Sequence, residues 1–98
     1  MMALRERAMV SLQSVPSLPK HVRIQYDPVR QAFAVLSPEK VFWPNEISLD
    51  ILRRCDGRST VGDIIAGLAA DYDAEREAVA ADVVAFLQEW SDKLLVKL

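Results

Sequence analysis

From His21 onward, apolar positions alternate with polar ones. Val22, Ile24 and Tyr26 are separated by Arg23 and Gln25, the period-two signature of a half-buried strand. Asp27-Pro28-Val29-Arg30 carries turn chemistry. Gln31–Ser37 predicts a second strand, with Phe33 and Val35 on one face and Ala32, Ala34 and Leu36 on the other. Ser37-Pro38-Glu39 turns the chain again. Lys40-Val41-Phe42-Trp43 then reads as a third strand, closed by Pro44. Bulky and β-branched side chains pack well on a pleated surface. A proline cannot donate to a sheet ladder, so this strand belongs at an edge. The short connections predict an antiparallel meander over residues 21–43. Edges are normally blunted with charge, because their free N–H and C=O groups invite pairing. An edge that is apolar on both faces predicts a place where a partner strand pairs. The plainer reading has Val41 and Trp43 facing the core and a loop covering Phe42.

After Pro44 the period lengthens to three or four. Asn45 suits an N-cap and Glu46 the positive end of a helix over 46–55, with Ile47, Ile51 and Leu52 at helical spacing. Asp56-Gly57 stops it, with glycine suited to the left-handed position. Thr60-Val61-Gly62-Asp63 resembles a capping box and opens a helix over 61–71. Asp73 is the expected cap of a third helix over 75–92. Its core stripe is Val79, Val83, Phe86, Leu87 and Trp90. The apolar arc then continues through Ala80 and Val84 to Ser91, about 160° in all where a core-facing helix needs about 100°. The added flank either lines a groove or packs on the second helix. Leu94–Leu98 is too apolar to be loose. Residues 1–19 read as a flexible N-terminal tail, because short isolated helices are marginal and Pro16 and Pro19 enforce extended chain. The ordered domain is expected over residues 20–98. The fold class is α+β: a three-stranded antiparallel sheet followed by three helices, like a winged helix-turn-helix.

The chain has 98 residues and one cysteine, Cys55, so one domain and no internal disulfide are expected. One histidine, His21, and one cysteine do not build a metal site without carboxylates. No catalytic constellation is present. Arg53, Arg54 and Arg58 near Cys55 would lower its pKa, but no second histidine stands by as a base, and a buried inert thiol is the simpler expectation. Gly57, Gly62 and Gly67 form no phosphate loop. No cofactor is implied. The winged-helix element list raises DNA binding. Against it, the third helix region carries Asp73, Glu75, Glu77, Asp82, Glu89 and Asp92 against Arg76 and Lys93, and the net charge is -2. That balance repels phosphate. The N-terminal apolar run is too short for a signal peptide or a spanning helix, so the expected location is cytoplasmic, with no membrane partner.

Pro19–Arg30 resembles the opening of the PqqD family, named for pyrroloquinoline quinone (PQQ) biosynthesis. Val35-Leu36-Ser37-Pro38-Glu39-Lys40-Val41 resembles that family's next signature. Asp56–Ile64 resembles its aspartate-glycine segment, and Asp71–Ala74, Asp82-Val83 and Phe86-Leu87 follow in register. The likeness covers residues 19–98. Phe42-Trp43-Pro44 departs from it, standing where an apolar residue, an acid and leucine are usual. The resemblance implies a non-catalytic peptide chaperone. Such proteins bind the precursor peptide PqqA and present it to PqqE, a radical SAM enzyme. The wider family serves other ribosomally made, modified peptides, which is the alternative pathway here; a winged-helix DNA regulator is the remoter one. The resemblance also implies that the peptide adds as a strand along the third strand, against the third helix. The expected peptide-binding residues are therefore Lys40, Val41, Phe42, Trp43, Ala80, Val84, Leu87 and Ser91. An open edge also allows two copies to pair as a homodimer.

Overall fold

The computed structural model describes residues 7–98. β1 (Arg23–Asp27), β2 (Ala32–Leu36) and β3 (Val41–Phe42) form one antiparallel sheet in the order β1-β2-β3. Ile24 pairs with Val35, and Val35 with Phe42, so these side chains share the face turned to the helices. Asp27 shapes the first turn: its Oδ1 accepts from the N–H of Val29 at 2.9 Å and of Arg30 at 3.3 Å. Ser37 shapes the second, where its N–H donates to the Lys40 carbonyl at 2.9 Å and its Oγ accepts from the Lys40 N–H at 3.2 Å. β3 is shorter than the expected Lys40–Trp43, because Lys40 belongs to the turn and Pro44 has no N–H to extend the ladder.

Three helices follow, as the sequence predicts: α1 (Glu46–Arg53), α2 (Val61–Asp71) and α3 (Arg76–Asp92). Asn45 caps α1 by accepting from the Ser48 N–H at 2.8 Å. Thr60 and Asp63 form a reciprocal capping box on α2, each bond 3.1 Å. The start of α3 differs from expectation. Its cap position is Glu75, with no side-chain cap bond. Asp73 instead takes φ +49° as α2 unwinds, where the Ala74 N–H donates to the Ala69 carbonyl at 2.9 Å. α1 also ends earlier than residue 55, and the stop at Gly57 (φ +75°) serves the loop beyond it.

Val35, Leu52, Val61, Ile64, Ile65, Val83 and Leu87 are the innermost side chains. Burying one such side chain stabilises the fold by roughly 1.5–3 kcal/mol. The last residues are packed as expected: Leu95 and Val96 are buried.

The flexible tail expected over residues 1–19 is a docked strap over 7–19; residues 1–6 lie outside the described residues. Pro16 is fully buried. Ser17 exchanges both main-chain bonds with Lys97 at 2.8 Å each. The carbonyls of Leu12, Ser14 and Pro16 accept from Gly62, Val61 and Gly57. Gln88 on α3 accepts from the Val10 N–H at 3.0 Å and donates to the Ala8 carbonyl at 2.9 Å. Isolated helical propensity in the segment is irrelevant, because its backbone groups are satisfied by other elements.

Candidate functional site

β3 is an edge, and its register fixes which groups it presents. The Lys40 carbonyl faces β2, bonded to Ser37, and Phe42 pairs with Val35. Trans peptides point N–H and C=O in opposite directions, and no peptide is cis among the described residues. The N–H and C=O of Val41 and the N–H of Trp43 therefore face the open edge. Lys40 and Phe42 spend their main-chain groups within the hairpin, so Phe42→Pro breaks the β2–β3 ladder and leaves the open edge its donors. The opposite edge of the sheet, β1, carries exposed Arg23 and Gln25, the usual protection against pairing.

The Phe42 side chain turns inward onto α3. Its ring lies 5.3 Å from that of Trp90, which stacks on Phe86 at 5.1 Å. Aromatic pairs at this spacing add to area burial. Val41 and Trp43 turn the other way, 52% and 43% exposed on the outer face of the sheet. A hollow beside the end of β3 is lined by Ser37, Glu39, Lys40, Phe42, Lys93 and Leu95. The hollow beside β3 thus meets the end of α3 at Lys93, on the side of the helix that carries Phe86.

That is the opposite flank from the one expected. Ala80, Val84, Leu87 and Ser91 do share a face of α3, but Leu87 is fully buried and Ser91 is 6% exposed. Ala80 and Val84 are half-buried against the core, and the strap crosses α3 at Gln88, one turn beyond Val84. α3 also packs on α2, the second of the two expectations for that flank. Helical periodicity counts Phe86 as core; the packing leaves its ring half-buried, stacked on Trp90 next to Phe42 in one cluster.

Two of the three arginines of the basic loop are occupied by structural contacts. Arg53 lies over the Phe33 ring at 4.3 Å. Arg54 donates to Asp50 at 2.8 Å and to Asp71, and Tyr72 donates to Asp50 at 3.0 Å. The hydrogen bond from Arg54 holds the Asp50 carboxyl below its ordinary pKa. These arginines do not activate Cys55: burial pushes its thiol up to about 12, aided by the Asp56 charge. Its Sγ donates to the Ile51 carbonyl at 3.3 Å. Among the described residues no group of three or more His, Cys, Asp or Glu is placed to hold a metal ion. No helix there is long and apolar enough to cross a membrane.

Residues 33–96 match the family model described as coenzyme PQQ synthesis protein D, PqqD. The chain belongs to the PqqD family. A relative from Bradyrhizobium diazoefficiens, named PqqA binding protein, is 45% identical over 86% of this chain and 82% of its own. One of the same name from Gluconobacter oxydans is 41% identical over 82% and 83%. The fold resembles the solution structure of the PqqD part of Methylobacterium extorquens PqqCD, with TM-score 0.77, 33% identity and coverage of 94% of this chain and 97% of that one. That PqqD part is described as a functional, stand-alone recognition element for ribosomally synthesized, post-translationally modified peptides. PqqD from Xanthomonas campestris gives TM-score 0.58 at 32% identity, covering 92% and 100%. The three-stranded sheet followed by three helices is the PqqD fold.

Proposed function

We propose that this protein is a non-catalytic recognition element that binds a PqqA-like precursor peptide by strand addition to β3. The single observation that carries the reading is the open edge, with three unspent main-chain groups at Val41 and Trp43 beside the Phe42–Phe86–Trp90 cluster. The shared name of its relatives supports PqqA as the class of peptide. Presentation to a PqqE-like radical SAM enzyme, and a cytoplasmic setting, complete the proposal. The acid-rich α3 and the committed arginines argue against the DNA-regulator reading.

The energetics are consistent. Three main-chain hydrogen bonds contribute roughly 1.5–4.5 kcal/mol together. Micromolar affinity requires about 8 kcal/mol net of the ordering of the peptide. The main-chain bonds alone fall short, and apolar side chains entering the cleft beside Phe42 and Phe86 supply the balance at roughly 25 cal/mol per Å². Of the residues expected to touch the peptide, Val41, Phe42 and Trp43 stay in the proposal, Lys40 stays as a side chain at the rim, and Phe86 replaces the Ala80–Ser91 face.

The test is calorimetric titration with the PqqA peptide of Bradyrhizobium diazoefficiens. Val41→Pro deletes an open-edge donor outside the β2–β3 ladder. We expect at least tenfold weaker binding with little change in melting temperature, and no salt-dependent binding of a mixed-sequence DNA duplex. Equal affinity of Val41→Pro and the parent, or no binding by the parent, removes the reading.

A further inference from the structure

A strand paired with β3 puts every second side chain on the outer face of the sheet, away from α3, beside Val41 and Trp43. Resting on the peptide-binding reading above, we propose that Trp43 and Arg30 form a charge-selective subsite there, which takes an acidic side chain of the bound strand.

That face is not a plain solvent face. Gln25, Asp27, Ala34, Leu36, Val41 and Trp43 help to line a hollow of about 300 Å³. The Arg30 guanidinium sits over the Trp43 indole, 4.6 Å from its centroid. A cation over an indole is held by the ring quadrupole, so the charge is fixed above the edge residue and not free to wander. Arg30 has one acidic neighbour, Asp27, whose Oδ2 is 4.0 Å from its Nε, the outer limit of an ion pair. The other oxygen of Asp27 is spent on the turn amides of Val29 and Arg30. The Arg30 side chain remains 66% exposed, with donors available to a ligand.

The two faces of the edge hold their charges differently. On the α3 side, the hollow beside Phe42 is lined by Glu39, Lys40 and Lys93, and Lys93 is bonded to Glu89 at 3.4 Å. On the outer side the exposed cation is Arg30, held over Trp43 at the edge itself. A side chain directly opposite Trp43 has its Cβ about 5 Å from that of Trp43, so a glutamate spans the indole to reach Arg30. The residue two positions along lies opposite Val41 and is apolar. The subsite thus sets both the register of the peptide and which of its faces turns outward.

The test uses the intact protein and an array of the Bradyrhizobium diazoefficiens PqqA peptide, each position replaced in turn by Glu and by Lys. The parent is expected to prefer Glu over Lys at one position by about two- to fivefold, the range of an exposed cross-strand charge pair. Arg30→Glu reverses that preference at the same position and no other. Arg30→Ala abolishes it without reversal, which keeps the test valid if the reversed charge disturbs the turn beside Asp27. High salt shrinks the preference. An unchanged charge preference at every position in Arg30→Glu and Arg30→Ala overturns the subsite while peptide binding stands. If the parent binds none of the peptides, both fall.

Discussion

α3 has extended chain on two flanks, and the two are finished in opposite ways. On the Gln88 flank the strap is bonded throughout: Leu12, Ser14, Pro16 and Ser17 all spend main-chain groups on other elements. On the Phe86 flank β3 pairs two residues with β2 and leaves the groups of Val41 and Trp43 unspent. Side-chain exposure does not tell them apart. Met9 and Leu12 on the strap are 64% and 51% exposed, much like Val41 and Trp43 on β3 at 52% and 43%. The difference lies in the backbone. An edge open to pairing is recognised by unpaired main-chain groups, and apolar exposure alone marks neither flank.

The largest effect that sharpens the contrast is Leu87→Ala. Leu87 is fully buried, so a stability loss of about 2–5 kcal/mol is expected by chemical denaturation, with PqqA affinity retained wherever the variant remains folded. A loss of affinity at unchanged stability would return Leu87 to the groove. Next comes Ser17→Pro, which removes the donor to Lys97. We expect about 1–3 kcal/mol lower stability and unaltered peptide binding, because the strap is the closed flank; weakened binding without loss of stability would erase the distinction between flanks. The smallest effect is a control remote from both. The folded pKa of Asp50 is depressed by Arg54, so its contribution is present above about pH 4 and is lost as pH falls through that lowered value. Asp50→Asn should therefore cost no more than about 1 kcal/mol at pH 7. Denaturation in acid should show the variant and parent converging.

Most of the fold was legible because its signals are local. Thr60 and Asp63 announce α2 within four residues, Asn45 announces α1, and the alternation from Val22 to Tyr26 announces β1. The expectation placed on Asp73 failed because aspartate serves equally as an N-cap or in the left-handed exit of the preceding helix, and local sequence weights both. The strap was missed because its bonds go to Gly57, Val61, Gly62 and Lys97, partners distant in sequence. The open edge was legible from apolar residues on both faces of a short strand. The helix flank beside it was not. Periodicity defines the apolar arc of α3 but leaves open which neighbour covers each side, and that depends on where the strap and β3 land. Likewise, the three arginines near Cys55 in sequence do not lower its pKa, because burial governs the thiol and Arg53 and Arg54 have other partners.

The bonds between Ser17 and Lys97 also bear on the order of folding. Joining chain segments roughly 80 residues apart costs about 4 kcal/mol in loop-closure entropy if the intervening chain is still free. The hairpins and the capped helices involve near neighbours and carry no such penalty. The strap is therefore expected to dock last, onto helices already assembled, its closure cheapened by the order they have gained. Hydrogen exchange should find the Ser17 and Lys97 amides opening together, ahead of the amides of α2.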